Sequence, residues 1–256
     1  MSRIGQNLRT VAQERVDRPL AAFARDYAPG EDTGWHAHAR AQLLYATSGV
    51  MRVATEAAHF VVPPGRALWV PAELPHAVRT EGDVAMRALF LRADAALAED
   101  APAVLGVSGL LRELILAACA EPLEWDEAGR GGHLAALILD ELGRAPRLPF
   151  GVPALRDPRL RRLAEALSRE PASELTLEEW AERCGASART LARLFRAETG
   201  MGFARWRQTL RLTEAAALLA QGTTPARAAA VVGYASAPAF GAAFRAAFGL
   251  TPGGVR

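Results

Sequence analysis

The stretch Ser187-Ala-Arg-Thr-Leu-Ala-Arg-Leu-Phe-Arg-Ala-Glu-Thr-Gly200 decides how the C-terminal part of this chain is read. Ser187 is a good N-cap and Gly200 a helix stop, so the spacing predicts a helix over 188–198. At 100° per residue Leu191, Leu194 and Phe195 share one face, and Arg189, Arg193 and Arg196 share the opposite one. A core-facing apolar stripe opposed by an arginine stripe suits a helix that reads the major groove. Guanidinium pairs bidentately with the O6 and N7 of guanine, or with phosphate. Just upstream, Thr176-Leu-Glu-Glu179 is a capping box that starts a short helix through Trp180 and Ala181, ending near Gly185. Two short helices joined by a Gly-containing turn make a helix-turn-helix.

A second copy follows. After a long helix around 203–220 comes the turn Gln221-Gly222, then Thr224-Pro225, an N-cap with proline at the first helical position. The helix over 226–232 ends at Gly233-Tyr234. Ser236 then caps another helix, in which Phe240, Phe244 and Phe248 recur every four residues and read as core. Two such units joined by one helix imply two successive major-groove contacts on one face of DNA.

Over about residues 158–256 the chain closely resembles the AraC/XylS family of bacterial transcription regulators. The resemblance rests on Ser187-x-x-x-Leu191-x-x-x-Phe195, Glu198-Thr-Gly200, Arg211-Leu212, Ala215, Leu218-Leu219 and Gly233-Tyr234-x-Ser236, and continues through Phe240, Phe244 and Phe248-Gly249-Leu-Thr-Pro252. It implies a seven-helix DNA-binding domain. Arg189, Ala192 and Arg193 are then expected near the bases, with Arg196 nearer phosphate; Ser187 and Thr190 are counted with them as DNA-binding, and the second unit contributes Ser236 and Arg245. That second reading face otherwise offers Ala237, Pro238, Gly241 and Ala242, which carry no side-chain donors for base edges.

The first 92 residues read differently. Short apolar runs at 42–45, 49–55, 59–62, 67–70 and 84–91 are broken by Ala28-Pro-Gly30, Pro63-Pro64-Gly65 and Glu81-Gly-Asp83, a pattern of strands and turns for a small sandwich or barrel. The spacing Gly30-x5-His36-x-His38-x3-Gln42-x6-Gly49, then Gly65-x5-Pro71-x-Glu73-x2-His76, resembles the two-part signature of the cupin barrel over about residues 22–92. His-x-His on a strand puts both imidazoles on one face. The resemblance brings in His76 as a third nitrogen ligand and Gln42 where metal-binding cupins usually have Glu. It also implies a small organic effector in such a barrel beside His36, His38, Gln42 and His76; Trp35 and Trp69 are offered as walls of that pocket or as core residues, between which periodicity does not decide. Glu73 stands in place of a typical Gly, and Thr80 in place of a typical Asn.

Between the two regions, Leu110, Leu111, Leu114 and Ile115, then Leu134, Leu137, Ile138 and Leu142, recur at helical spacing. The expected fold is thus a two-domain β + α chain. It has a cupin-like sensing barrel over 1–95, a helical pair over 104–145 that serves either as a dimer interface or as packing onto the barrel, a proline-rich linker over 146–157 and an all-α domain with two helix-turn-helix motifs over 158–256.

Composition narrows the function. Half of the 256 residues are hydrophobic and 23% are charged, which is a folding composition. All 30 basic residues are arginine, and residues 183–256 hold 10 of them against 2 carboxylates, a balance that fits a polyanion-binding C-terminal part. Cys119 and Cys184 stand too far apart for a C-x-x-C metal site and give no disulfide framework. No apolar run is long enough to span a bilayer, and the first residues lack the apolar core of a secretory leader. These features predict a cytoplasmic regulator that is not an enzyme. Its expected partners are double-stranded DNA, a small-molecule or divalent-metal effector, a second copy of itself and, for an activator, RNA polymerase, with no membrane. The alternative is a metal-dependent cupin enzyme fused to a DNA-binding domain, with Glu73 handling protons.

Overall fold

The computed structural model describes residues 5–6 and 10–255. The chain runs β1 (Gly5–Gln6), α1 (Val11–Arg15), β2 (Leu20–Tyr27), β3 (His36–Ala37), β4 (Ala41–Ala46), β5 (Val50–Thr55), β6 (Ala58–Val62), β7 (Arg66–Val70), β8 (His76–Glu81), β9 (Val84–Leu91) and β10 (Ala103–Gly106). It continues through α2 (Gly109–Ala120), α3 (Arg130–Arg144), β11 (Arg147–Leu148), β12 (Gly151–Pro153), α4 (Pro158–Arg169), α5 (Leu177–Arg183), α6 (Ala188–Thr199), α7 (Phe203–Ala220), α8 (Pro225–Val231) and α9 (Ala237–Phe248). Two compact units result, Met1–Thr55 with Val62–Pro149, and Glu56–Val61 with Phe150–Arg256. No helix of the described residues is long and apolar enough to cross a membrane.

The first unit is β-rich, as expected. One sheet has the order β11-β10-β7-β4-β9-β2, and β1-β3-β8-β5 form the other. Strand alternation sorts the side chains of β4 to opposite faces. Gln42 and Phe90, facing each other across β4 and β9, point to one side, and Leu43, Trp69 and Leu89 to the other. That other side is covered by α2 and α3, whose Leu111, Leu114, Ile115, Ala135, Ile138 and Leu142 form one core with Leu43, Tyr45, Trp69 and Leu89.

Two expectations change here. Trp69 is not an effector-pocket wall: it sits one strand position out of phase with Gln42, under the helices, and its indole N–H donates to the Glu99 carbonyl at 3.4 Å. The apolar stripes of α2 and α3, offered above to a dimer interface, are mostly buried against the sheet, because a one-sided sheet has an apolar face of its own to cover. Leu110 and Leu137 alone among their large apolar side chains are clearly exposed, at 55% and 49%.

Glu73 is the non-glycine residue with a left-handed backbone among those described, at φ 60°. Its N–H donates to the His38 carbonyl at 2.8 Å, and its side chain is exposed. The turn therefore has the conformation that glycine adopts freely and an L side chain does not. Glu73→Gly is expected to leave stability unchanged or raise it by up to about 1 kcal/mol, read as the midpoint of urea unfolding, since the relief of strain exceeds the entropy glycine adds to the unfolded chain. A clear loss would mean that the carboxylate itself matters.

In the second unit α5 and α6, then α8 and α9, form the two helix-turn-helix pairs around α7. The capping box at Thr176 and Glu179 is present in both directions, and Ser187, Thr224 and Ser236 each cap the helix that follows. Leu191 and Phe195 of α6 enter a core with Leu160, Leu163, Leu167, Trp180 and Trp206. The proline-rich stretch read as a linker is partly ordered here. Its β12 pairs antiparallel with β6, and Phe150 stacks on Phe248 with centroids 4.0 Å apart.

Candidate functional site

The inner side of the β-rich unit gathers the histidines. His36 lies on β3 directly opposite His76 on β8, and His38 follows His36 on the same face. All three are buried, with ring centroids 4.4 to 5.5 Å apart, and they offer one ligand atom each within 4.8 Å of one another. The Phe90 ring lies edge-on to His38 with centroids 5.0 Å apart.

The hydrogen bonds orient these rings. His36 Nδ1 lies 2.8 Å from the Gly34 carbonyl and His76 Nδ1 lies 2.9 Å from the Leu74 carbonyl. A carbonyl only accepts, so each Nδ1 carries the proton and each Nε2 keeps a lone pair while the ring is neutral. Burial holds His36 below its ordinary pKa and takes His76 down to about 3, so both rings are neutral near pH 7. His38 Nδ1 lies 2.9 Å from Glu14 Oε1. Its Nε2 is buried and has no hydrogen-bond partner. Gln42 Oε1 is 3.1 Å from His76 Nε2. Two acceptors at that distance require the Gln42 amide to turn its NH2 inward, or both atoms to coordinate one cation.

This donor set fits a divalent metal. Three imidazole Nε2 atoms converge, and each Nδ1 is hydrogen-bonded to an oxygen, which is how proteins fix metal-binding imidazoles. Zinc, nickel, copper and iron all accept imidazole, and the Gln42 amide is a weaker neutral oxygen donor. The structure brings together four of the six expected effector-site residues. Trp69 lies outside the cluster, and Trp35, on the loop before β3, is 40% exposed. Glu73, the proton handler of the enzyme alternative, points to solvent.

Sequence reasoning missed Glu14 and Arg40. Glu14 Oε1 holds His38 Nδ1, and Oε2 accepts the Ala39 N–H at 3.1 Å. The buried Arg40 guanidinium donates to the carbonyls of Glu14 (3.0 Å), Arg18 (2.8 Å) and Val16. Glu14 precedes His38 by 24 residues and belongs to no motif, so only folding reveals it.

In the second unit, Arg189, Arg193 and Arg196 are exposed along α6, and among the described residues no ion pair engages them. Ala192 sits between them, half-buried. Ser187 Oγ accepts the Thr190 N–H at 3.1 Å and lies 2.9 Å from Thr190 Oγ1, so these hydroxyls serve the cap and each other. Ser236 likewise caps α9 through the Ala239 N–H, and Arg245 is exposed on α9. Arg211 of α7, expected only as part of a motif, has a defined task. It donates to the carbonyls of Pro171 (2.7 Å), Ser173 (3.0 Å) and Gly233 (3.2 Å), tying the lead-in to the first helix-turn-helix to the turn of the second.

Comparison with known proteins agrees with both halves. Residues 180–256 match the helix-turn-helix domain family model, and residues 24–92 match the cupin domain model. The HTH-type transcriptional regulator NimR of Escherichia coli K12 is 32% identical over 248 residues, which are 96% of this chain and 91% of NimR. RipA, an HTH-type transcriptional regulator of Corynebacterium glutamicum, is 39% identical over 119 residues, 46% of this chain and 34% of RipA. A putative AraC-like transcription regulator of Streptomyces lividans is 34% identical over 131 residues, 48% of this chain and 43% of that protein. The chain therefore belongs to the AraC-type helix-turn-helix transcription regulators and carries a cupin domain in its N-terminal half.

Proposed function

We propose that this regulator binds duplex DNA through α6 and α9 and that a divalent metal held by His36, His38 and His76, with Gln42 beside them, sets its DNA affinity. The observation that carries the metal reading is the buried, unpartnered His38 Nε2 among imidazoles whose Nδ1 atoms are all engaged. A bound metal would supply Lewis acidity and two positive charges, and the surrounding side chains do the rest. They fix ring orientation, exclude bulk water and give the ion no charged ligand. The regulatory step is a population shift, which requires that metal bind two arrangements of the protein unequally. An organic effector in the same barrel is the second reading, supported by Trp35 at its half-exposed position before His36. A homodimer would have Leu110 and Leu137 left to bury, and would double the DNA contacts. Contact with RNA polymerase belongs to the case of an activator.

Fluorescence anisotropy on DNA upstream of the protein's own gene tests the reading, with metal-free protein and again with added zinc, nickel or cobalt. Tight, salt-sensitive binding that changes with metal is expected. Binding indifferent to metal would move the case to an organic effector.

On the DNA side, α6 supplies base discrimination and α9 mainly grips the backbone. Arg193→Ala is expected to reduce discrimination between matched and mismatched sites by about 1–3 kcal/mol. Arg245→Ala is expected to weaken all sequences about equally and to lower the salt slope by about one. Equal loss of discrimination from both substitutions would sink this division of labour.

A further inference from the structure

We propose that Glu14, delivered by α1, is the positioning residue of the three-histidine site, and that docking of residues 10–18 and occupation of that site strengthen each other. The inference rests on the metal reading above and adds its link to a separate segment of the chain.

Three observations carry it. First, both oxygens of Glu14 are engaged at His38, Oε1 on the ring N–H and Oε2 on the adjoining backbone N–H, with the side chain only 4% exposed. That pair fixes the ring with Nε2 toward His36 and His76, where no hydrogen-bond partner waits. Second, the donors around the site are three imidazoles and one amide. A divalent cation among them in a buried place needs a compensating anion. The Glu14 carboxylate stands one hydrogen bond behind His38, close enough to supply that charge without being a ligand. Third, α1 itself buries no apolar side chain, and Val16 is the buried apolar residue of the segment 10–18. Beside Val16, polar links hold the segment: the Glu14 carboxylate, the three carbonyls gripped by Arg40, and Arg18, whose Nε donates to the Trp125 carbonyl at 2.7 Å.

The physical link is the imidazole itself. A cation on Nε2 withdraws electron density from the ring and makes Nδ1–H a stronger donor, so the bond to Glu14 tightens. By reciprocity a docked Glu14 raises metal affinity by the same factor that metal raises docking. Metal bound inside the barrel is thereby reported on α1, which touches no metal.

Two measurements on the full-length chain test this. Backbone hydrogen exchange is followed over residues 10–18 with and without zinc, cobalt or nickel as the probe ion. Slower exchange with metal is expected, and exchange unaltered by a metal that does bind overturns the proposal. This comparison needs only the wild-type protein, so it holds even where a variant fails to fold. Calorimetric titration then compares wild type with Glu14→Gln and with Arg15→Gln, an exposed neighbour on the same helix. Glu14→Gln is expected to lose 10–100-fold in affinity, with the His38 ring 15N shifts departing from the Nδ1–H form, while Arg15→Gln binds as wild type. Wild-type affinity in Glu14→Gln overturns the positioning role. Failure of the wild type itself to take up any of the three ions overturns the metal reading, and this inference with it.

Discussion

Gly233→Ala is expected to destabilise the C-terminal unit by about 2–5 kcal/mol, lowering its thermal midpoint by 10 °C or more, because two costs add. Gly233 has φ +80°, a left-handed conformation that costs alanine about 1–2 kcal/mol. A Cβ there would also stand 2.7 Å from the Ala172 Cα and 3.0 Å from Arg211 Nη2. The first neighbour is backbone and cannot swing aside. The second belongs to the guanidinium that holds Pro171, Ser173 and Gly233 together. Burial lowers the pKa of Arg211, and the group keeps its charge at any ordinary pH, so losing a partner leaves a poorly solvated cation. Gly222→Ala is the control. It has a similar φ of +88° with nothing within 4 Å of its Cβ, so about 1–2 kcal/mol is expected there. Circular dichroism melts of the two variants separate backbone strain from steric clash. Equal losses would show that the approach of Ala172 to Gly233 does not constrain the fold. DNA affinity should fall in Gly233→Ala below its melting point as well, since the turn that carries α9 is displaced.

His76→Ala is expected to remove most of the metal affinity while leaving a folded barrel. A zinc site with four protein ligands is worth about 10–16 kcal/mol, so one imidazole accounts for on the order of 3 kcal/mol, or two orders of magnitude in affinity. Metal at a hundredfold excess over its dissociation constant stabilises the wild type by about 2.7 kcal/mol, and a variant weakened a hundredfold gains only about 0.4 kcal/mol at that concentration. The quantity to read is the shift in melting temperature caused by zinc, measured separately for each protein, because the cavity left by a side chain 1% exposed lowers stability with or without metal. His133→Ala, exposed on α3, should keep the wild-type shift. A zinc shift that survives in His76→Ala would move the ion elsewhere and end the three-histidine reading. In the anisotropy titration the same variant should bind DNA with an affinity that no longer responds to metal.

The C-terminal half was legible from sequence because its signals are local. Caps at Thr176, Ser187, Thr224 and Ser236 act on N–H groups three residues away, and the stripe of Leu191 and Phe195 against Arg189, Arg193 and Arg196 repeats within two turns. Interactions of that range are written in consecutive residues, and tertiary packing had only to accept them. In the N-terminal half, the resemblance to the cupin signature suggested a shared site for His36, His38 and His76. Strand alternation put the first two on one face, and the register of β3 against β8 then joined the third.

What only the tertiary structure decided depends on phase, pairing and distance along the chain. Alternation says that Gln42 and Leu43 face opposite ways, but not which side α2 and α3 will cover, and that choice took Trp69 out of the pocket. A helix stripe has the same pattern whether it meets a sheet or a second copy of the chain, so only the fold shows that most of the apolar side chains of α2 and α3 pack on the sheet. The proline-rich stretch reads as linker because strand pairing between β12 and β6 joins segments some ninety residues apart and leaves no local mark. Glu14 is the clearest case. A carboxylate on a five-residue helix has no sequence signature, and its meaning comes entirely from the fold that sets it against His38. Sequence alone determined that the arginines of α6 share one helix face and that His36 and His38 share one strand face; the tertiary structure decided which groups meet, because burial and orientation are properties of contacts between distant segments.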